Sequence, residues 1–339
     1  MDEKIILFDP HPRKIDLIFS AADKKRLEKL GKVLWHEGQR APDDYIDEYL
    51  SQTIAIVGQT AMPRARLDHA PHLRLIANVE GNFLPNIDYE ECYRRNIHVL
   101  SCSTAFAPAV AEMALGLALA CARGIPQADA AFRQGREVYS GASNLDGFLL
   151  RNKTFGLIGC GNVGRRLLPF LQPFGGEILV HDPWLHDHFL DDLGVRPVAL
   201  NELLERSRII FMIATATSEN EKGLGAKQFA MMQKGTVFVL VGRAQVVDFE
   251  AMLDAAESGH IRAAIDVFPE EPVPAGHRVR RTANVILSGH RSGGLPETYR
   301  EVGTMVVDEL ELVLRGLRPQ RMQAASIETA ARYRSKPVG

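Results

Sequence analysis

Short β-rich apolar runs recur through the first hundred residues: KIILFDP, KVLWHE, TIAIVG, LRLIANV and IHVLSC. Helix-length segments such as KKRLEKLG and YIDEYLSQ separate them, which is the rhythm of a parallel α/β sheet. A long apolar helix follows from about Pro108 to Arg123, with its proline placed as a first-turn residue. A second series, TFGLIG, GEILVHD, RIIFMIA, TVFVLVG, AAIDVF and NVILS, predicts six more strands, enough for a dinucleotide-type sheet. After Gly293 and Gly294, helical spacing of Val302, Met305, Val306, Leu310, Val313, Leu314 and Leu317 predicts a last helix, opened by Pro296 and stopped by Pro319. Its apolar stripe needs a partner surface, which the first sheet would supply.

The pattern therefore predicts an α/β protein of two parallel-sheet domains. A discontinuous domain comprises 1–107 and 295–339, and a doubly wound domain comprises 108–294. At 339 residues the length suits two cores. The polar last dozen residues are expected to fray.

Charge narrows the choice of partner. Forty Lys and Arg against 42 Asp and Glu leave a formal net charge of −2, so no broad footprint for nucleic acid or an anionic membrane is expected. The longest apolar stretch, AVAEMALGLALACA, contains Glu112 and is shorter than a bilayer span. The four cysteines, Cys92, Cys102, Cys121 and Cys160, form no C-x-x-C pair, so no metal site or disulfide framework is expected. They read as buried thiols of a cytoplasmic protein.

The strongest motif is TFGLIGCGNVGRRLL, in which Gly159, Gly161 and Gly164 form G-x-G-x-x-G between a strand and a helix. The first glycine permits the turn, the second admits a pyrophosphate, and the third lets helix and strand pack. Amides near Asn162 and Val163 would take the pyrophosphate at the helix N-terminus. A methyltransferase-like or purely structural α/β unit remains the alternative. The next strand ends in Asp182, where a carboxylate accepts from ribose hydroxyls and repels a 2′-phosphate, which favours NAD over NADP. Arg243, Asp266 with Glu270 and Glu271, and His290 each follow a later strand. Ligands bind outside the carboxyl ends of such strands, so these groups make a hydride-transfer set.

Taken together, these blocks make the chain resemble the D-2-hydroxyacid dehydrogenase family. The stretch APHLRLIANVEGNFLPNIDYEECYRRNIHVLSC looks like the family's first-domain strand, carboxylate-binding glycine turn and following strand. GRAQVVD, DVFPEEP and GHRSGG look like its arginine, glutamate and histidine blocks. The resemblance implies Arg243, Glu271 and His290 as catalytic residues, with Glu271 orienting His290. It further implies substrate binding by Gly81, Asn82 and Arg243, a nicotinamide-carboxamide contact from Asp266, and a homodimer through the nucleotide domain. The implied reaction is hydride transfer between NAD(H) and a 2-hydroxy or 2-oxo acid. Corepressors that bind NAD(H) without turnover share the fold and are the second reading.

The departures from the family pattern are Ala244 for a glycine, Gly289 for a proline and Arg291 for an apolar residue. Ala214-Thr215-Ala216 replaces a common histidine-x-proline, and the EGNFLPN turn is a residue longer than in many members. They bear on substrate identity more than on reaction class, and Arg291 suggests a polar substrate.

Overall fold

A computed structural model describes residues 4–335. The chain divides into two compact units, Met1–Ala107 with Gly294–Gly339, and Pro108–Gly293.

The first unit holds a six-stranded sheet of β1 (Ile5–Asp9), β2 (Lys32–Trp35), β3 (Thr53–Gly58), β4 (Leu75–Asn78), β5 (His98–Ser101) and β13 (Gln323–Ala324), in the order β13-β5-β4-β3-β1-β2. Strands β1 to β5 are mutually parallel in flavodoxin-like order. Only β13, on the β5 edge, is antiparallel. β1, β3 and β4 are buried along their whole length, because helices cover both faces of a parallel sheet and each side chain meets a layer. On one face Val302, Met305, Val306, Val307 and Leu310 of the helix Pro296–Leu314 join Ile6, Phe8, Ala55 and Val57. Ile5, Leu7, Ile56 and Ile76 line the other face with Phe83, Ala330 and Tyr333.

The second unit holds a seven-stranded parallel sheet of β6 (Phe155–Ile158), β7 (Ile178–His181), β8 (Arg196–Pro197), β9 (Ile209–Met212), β10 (Thr236–Leu240), β11 (Ile261–Ile265) and β12 (Val285–Leu287). Its order, β12-β11-β10-β9-β6-β7-β8, is the doubly wound arrangement. The topological switch lies between β6 and β9, where crevices for nucleotides form.

Three expectations need correction. The long helix runs Ser103–Arg123 with Pro108 inside it. A proline there lacks one N–H and removes one helical hydrogen bond without ending the helix. By length and composition this helix passes for a membrane span, but Ala111, Ala114, Leu117, Ala118, Cys121 and Ala122 lie in the core beside Phe155, Leu157 and Val237. Leu317 lies past the end of its helix and is half exposed, so the apolar stripe stops with Leu314. The chain end also does not fray over its described part, since Ala330, Tyr333 and Ser335 are all buried. Residues 336–339 of that last dozen lie outside the described residues.

Candidate functional site

Each glycine of the nucleotide turn has a separate physical reason. Gly159 has φ +94°, and a Cβ on it would stand 2.9 Å from the Ala214 Cα, so only glycine fits. A Cβ on Gly164 would come within 3.1 Å of the Gly159 carbonyl oxygen. Gly161 differs, because a Cβ there would meet nothing within 4 Å. Its surface is open at the mouth of the helix Asn162–Leu171, whose N-cap has no side-chain cap. The first-turn N–H groups of such a helix lack helical acceptors and favour anions. The turn therefore fits a dinucleotide pyrophosphate.

Asp182, just beyond β7, tightens the turn as well as facing it. Its Oδ2 accepts from the Cys160 amide at 2.7 Å and its Oδ1 from the Trp184 amide at 3.0 Å. Each carboxylate oxygen has a second lone pair available to ribose hydroxyls. Burial first, and then the nearby Asp182 charge, push the Cys160 thiol up to about 11, so it stays an un-ionised packing residue.

Arg243, Asp266 and His290 stand past the ends of β10, β11 and β12. The Arg243 Nη1 donates to the Gly242 carbonyl at 2.8 Å. A Cβ on Gly242 would stand 2.9 Å from the Ile213 backbone, so glycine lets the residue before Arg243 run close to the β9 end. His290 occupies the left-handed region, φ +49°, an uncommon conformation for a side-chain-bearing residue and a frequent one at functional sites. Its Nδ1 lies 2.6 Å from the Glu271 Oε2, and the other Glu271 oxygen accepts from the Phe268 amide at 2.9 Å. Burial tends to raise the Glu271 pKa, but the His290 hydrogen bond and the Phe268 amide outweigh it and leave it lowered. This oriented histidine-carboxylate pair has no partner on Nε2 among the described residues, which leaves that atom to exchange a proton with a ligand. Glu270 is exposed and has no hydrogen bond or ion pair among the described residues.

Asp266 is almost wholly buried and committed to the histidine loop. Its Oδ1 accepts from the Arg291 amide, and its Oδ2 from the Ser292 amide and hydroxyl, the last at 2.6 Å. Ser292 went unassigned in the sequence, although its place two residues after His290 and beside a glycine pair was a usable signal. The Arg291 guanidinium is exposed and has no ion pair among the described residues.

Within the first unit, Gly81 and Asn82 lie in the irregular turn after β4. Asn78, also missed from sequence, braces this turn: its Nδ2 donates to the Asn82 carbonyl and Oδ1, and its Oδ1 accepts from the Glu80 amide. The Asn82 side chain thus serves the turn itself. Glu80, only 7% exposed at its side chain, takes the Arg13 Nε at 2.6 Å, and the Arg13 guanidinium lies 4.9 Å from the Tyr299 ring centroid. Burial disfavours the Arg13 charge, but hydrogen bonding to Glu80 overrides it and raises the pKa. No group of three or more His, Cys, Asp or Glu able to hold a metal occurs among the described residues.

Sheet order, glycine turn and charged strand ends together define the second unit as a dinucleotide-binding domain of oxidoreductase type. Residues 115–292 match the D-isomer specific 2-hydroxyacid dehydrogenase, NAD binding domain. A D-3-phosphoglycerate dehydrogenase of Methanocaldococcus jannaschii is 31% identical over 295 residues, covering 86% of this chain and 55% of that protein. A glyoxylate reductase of Korarchaeum cryptofilum is 30% identical over 255 residues, covering 75% and 76%. Among solved structures, a phosphoglycerate oxidoreductase from Rhizobium etli is 39% identical with a TM-score of 0.83, covering 95% of this chain and 98% of that one. The chain belongs to the D-isomer specific 2-hydroxyacid dehydrogenase family, whose members bind NAD(P). It spans about half the length of the D-3-phosphoglycerate dehydrogenases it matches.

Proposed function

We propose that the chain reduces a polar 2-oxo acid to its D-2-hydroxy acid with NADH, and catalyses the reverse oxidation. The observation that carries this reading is the 2.6 Å pair of His290 and Glu271, held at the same sheet edge as the glycine turn. Bound nucleotide supplies the hydride. His290 donates a proton from Nε2 to the carbonyl oxygen as charge develops there, while Glu271 holds Nδ1–H and stabilises the imidazolium. The planar guanidinium of Arg243 carries carbonyl and carboxylate oxygens. Amides of Gly81 and Asn82 carry the remaining carboxylate charge, making the first unit the substrate domain. Asp266 Oδ1, with one donor in place, has a lone pair for the carboxamide.

Asp182 supports NAD over NADP, since its carboxylate repels a 2′-phosphate. The unpaired Arg291 guanidinium supports a hydroxylated or second-acid substrate, because burying it against an alkyl tail would be unfavourable. Ile125, Phe132, Val138, Tyr139, Leu145 and Leu149 of the second unit are each more than half exposed. An apolar surface of this extent supports homodimerisation through that unit. Four buried, unpaired cysteines suit a reducing cytoplasm.

The test is steady-state oxidation of NADH and NADPH against hydroxypyruvate, a sugar-derived 2-oxo acid, oxaloacetate, 2-oxoisocaproate and phenylpyruvate, with wild type and Arg291→Met. Nucleotide binding without turnover would replace the enzyme reading with a sensor. An apolar substrate winning in wild type, or an unchanged ranking in the Met variant, would remove the polar-substrate assignment.

A further inference from the structure

The last twenty residues described do not simply trail from the C-terminal helix. Glu309, fully buried on that helix, accepts from the backbone amides of Gln320, Arg321 and Met322 and so turns the chain back. The Thr104 hydroxyl donates to the Arg321 carbonyl at 2.7 Å. β13 then pairs with β5, and the Ala325 amide donates to the Val99 carbonyl at 2.9 Å. Met322 packs in the layer on one face of the sheet, whereas Ala330 and Tyr333 pack in the layer on the other. The described tail thus rounds the sheet edge and reaches the turn that carries Gly81 and Asn82. There the Tyr333 ring stacks on Phe83, with centroids 5.2 Å apart and planes at 28°. Phe83, 6% exposed, is an apolar anchor of that turn beside the buried Leu84. In the same layer the Tyr89 hydroxyl donates to the Leu84 carbonyl at 2.6 Å.

We infer that Tyr333 is a positioning residue for substrate binding: by stacking on Phe83 it fixes where the amides of Gly81 and Asn82 stand. The inference rests on the substrate role proposed for that turn. An irregular loop has no strand ladder to set its place, so its few anchors do, and small displacements of a binding group weaken what it holds. The contact with Phe83 is made by the Tyr333 ring, while its hydroxyl is 3.0 Å from the Thr329 hydroxyl, so the ring is expected to carry the effect.

The experiment compares full-length wild type, Tyr333→Ala and Tyr333→Phe by amide hydrogen exchange, NADH affinity and steady-state kinetics with the best 2-oxo acid. In Tyr333→Ala, amides of residues 79–86 should exchange faster while those of 155–164 do not change. An aromatic pair of ordinary strength predicts a roughly three- to tenfold rise in KM for the 2-oxo acid. NADH affinity and kcat should stay near wild type, and Tyr333→Phe should behave as wild type. If the Ala variant does not fold, Tyr333→Leu, which fills the site without a ring, carries the same expectations. Unchanged exchange at 79–86, an unchanged KM, a loss in kcat and NADH affinity equal to that in KM, or failure of the Phe variant to restore, each overturns the inference. If wild type turns over no 2-oxo acid, the functional proposal falls instead, and exchange at 79–86 alone decides whether Tyr333 positions the turn.

Discussion

The His290 amide donates to the Asp266 carbonyl at 2.7 Å, and the Asp266 carboxylate holds the two residues that follow His290. One buried acid just past β11 therefore sets the path of the loop after β12 that carries the histidine. Asp266→Ala would leave the Arg291 amide, the Ser292 amide and the Ser292 hydroxyl without their acceptor. Removing a buried charged acceptor of this kind costs roughly 2–4 kcal/mol. Urea denaturation should show that loss, with kcat falling as His290 loses its orientation. A variant as stable as wild type would show that the loop is held by other contacts.

The same loop geometry separates the roles of His290 and Glu271. General acid–base groups contribute about 10²- to 10⁴-fold, so His290→Ala should lower kcat by that order while NADH affinity is retained. Glu271→Gln should cost less and move the alkaline limb of the reduction profile to lower pH, because an amide favours imidazolium less than a carboxylate does. Coincident profiles would exclude Glu271 from proton transfer.

Stability should carry a trace of the same pair. Glu271 has a lowered pKa in the folded protein, burial opposing and the His290 and Phe268 hydrogen bonds prevailing. A carboxyl group with a depressed native pKa stabilises the fold above its unfolded value, near 4.5, and that contribution disappears as pH falls through the native value. The Glu271 side chain is 36% exposed, so solvent screening keeps the effect small. Unfolding free energies of wild type and Glu271→Gln should converge as pH falls below about 4.5 and separate above it. Parallel curves would contradict the assignment.

The sheets were legible because parallel strands buried on both faces read as continuous apolar runs. β8 and β13 were not, since Arg196–Pro197 and Gln323–Ala324 are two-residue pairings with little burial, set by neighbours and not by local pattern. Pro108 misplaced a helix start because a proline marks first turns more often than interiors. Tyr333 was lost in a polar segment, where one ring supplies the anchoring that composition dilutes. In the site, strand ends located Arg243, Asp266 and His290. Long-range contacts decided the rest: that Asp182 reaches the Cys160 amide, and that Asp266 turns toward Ser292, are facts of tertiary packing with no local signature.

The glycine turn offers a test in which stability and binding separate. Gly159→Ala puts a Cβ at φ +94° and 2.9 Å from the Ala214 Cα, so both backbone strain and a clash with backbone oppose it. A loss of about 2 kcal/mol or more is expected, with nucleotide binding lost alongside. Gly161→Ala meets no protein atom within 4 Å, and replacing an N-cap glycine by alanine costs only about 1 kcal/mol or less. The added methyl group instead stands on the open face where the proposed pyrophosphate site at the helix N-terminus would lie. Thermal unfolding of Gly161→Ala should therefore stay close to wild type without ligand, while its Kd for NADH, followed by nucleotide fluorescence, rises by about tenfold or more. Equal NADH affinity in Gly161→Ala and wild type would mean that the open face of Gly161 is not where the dinucleotide lies.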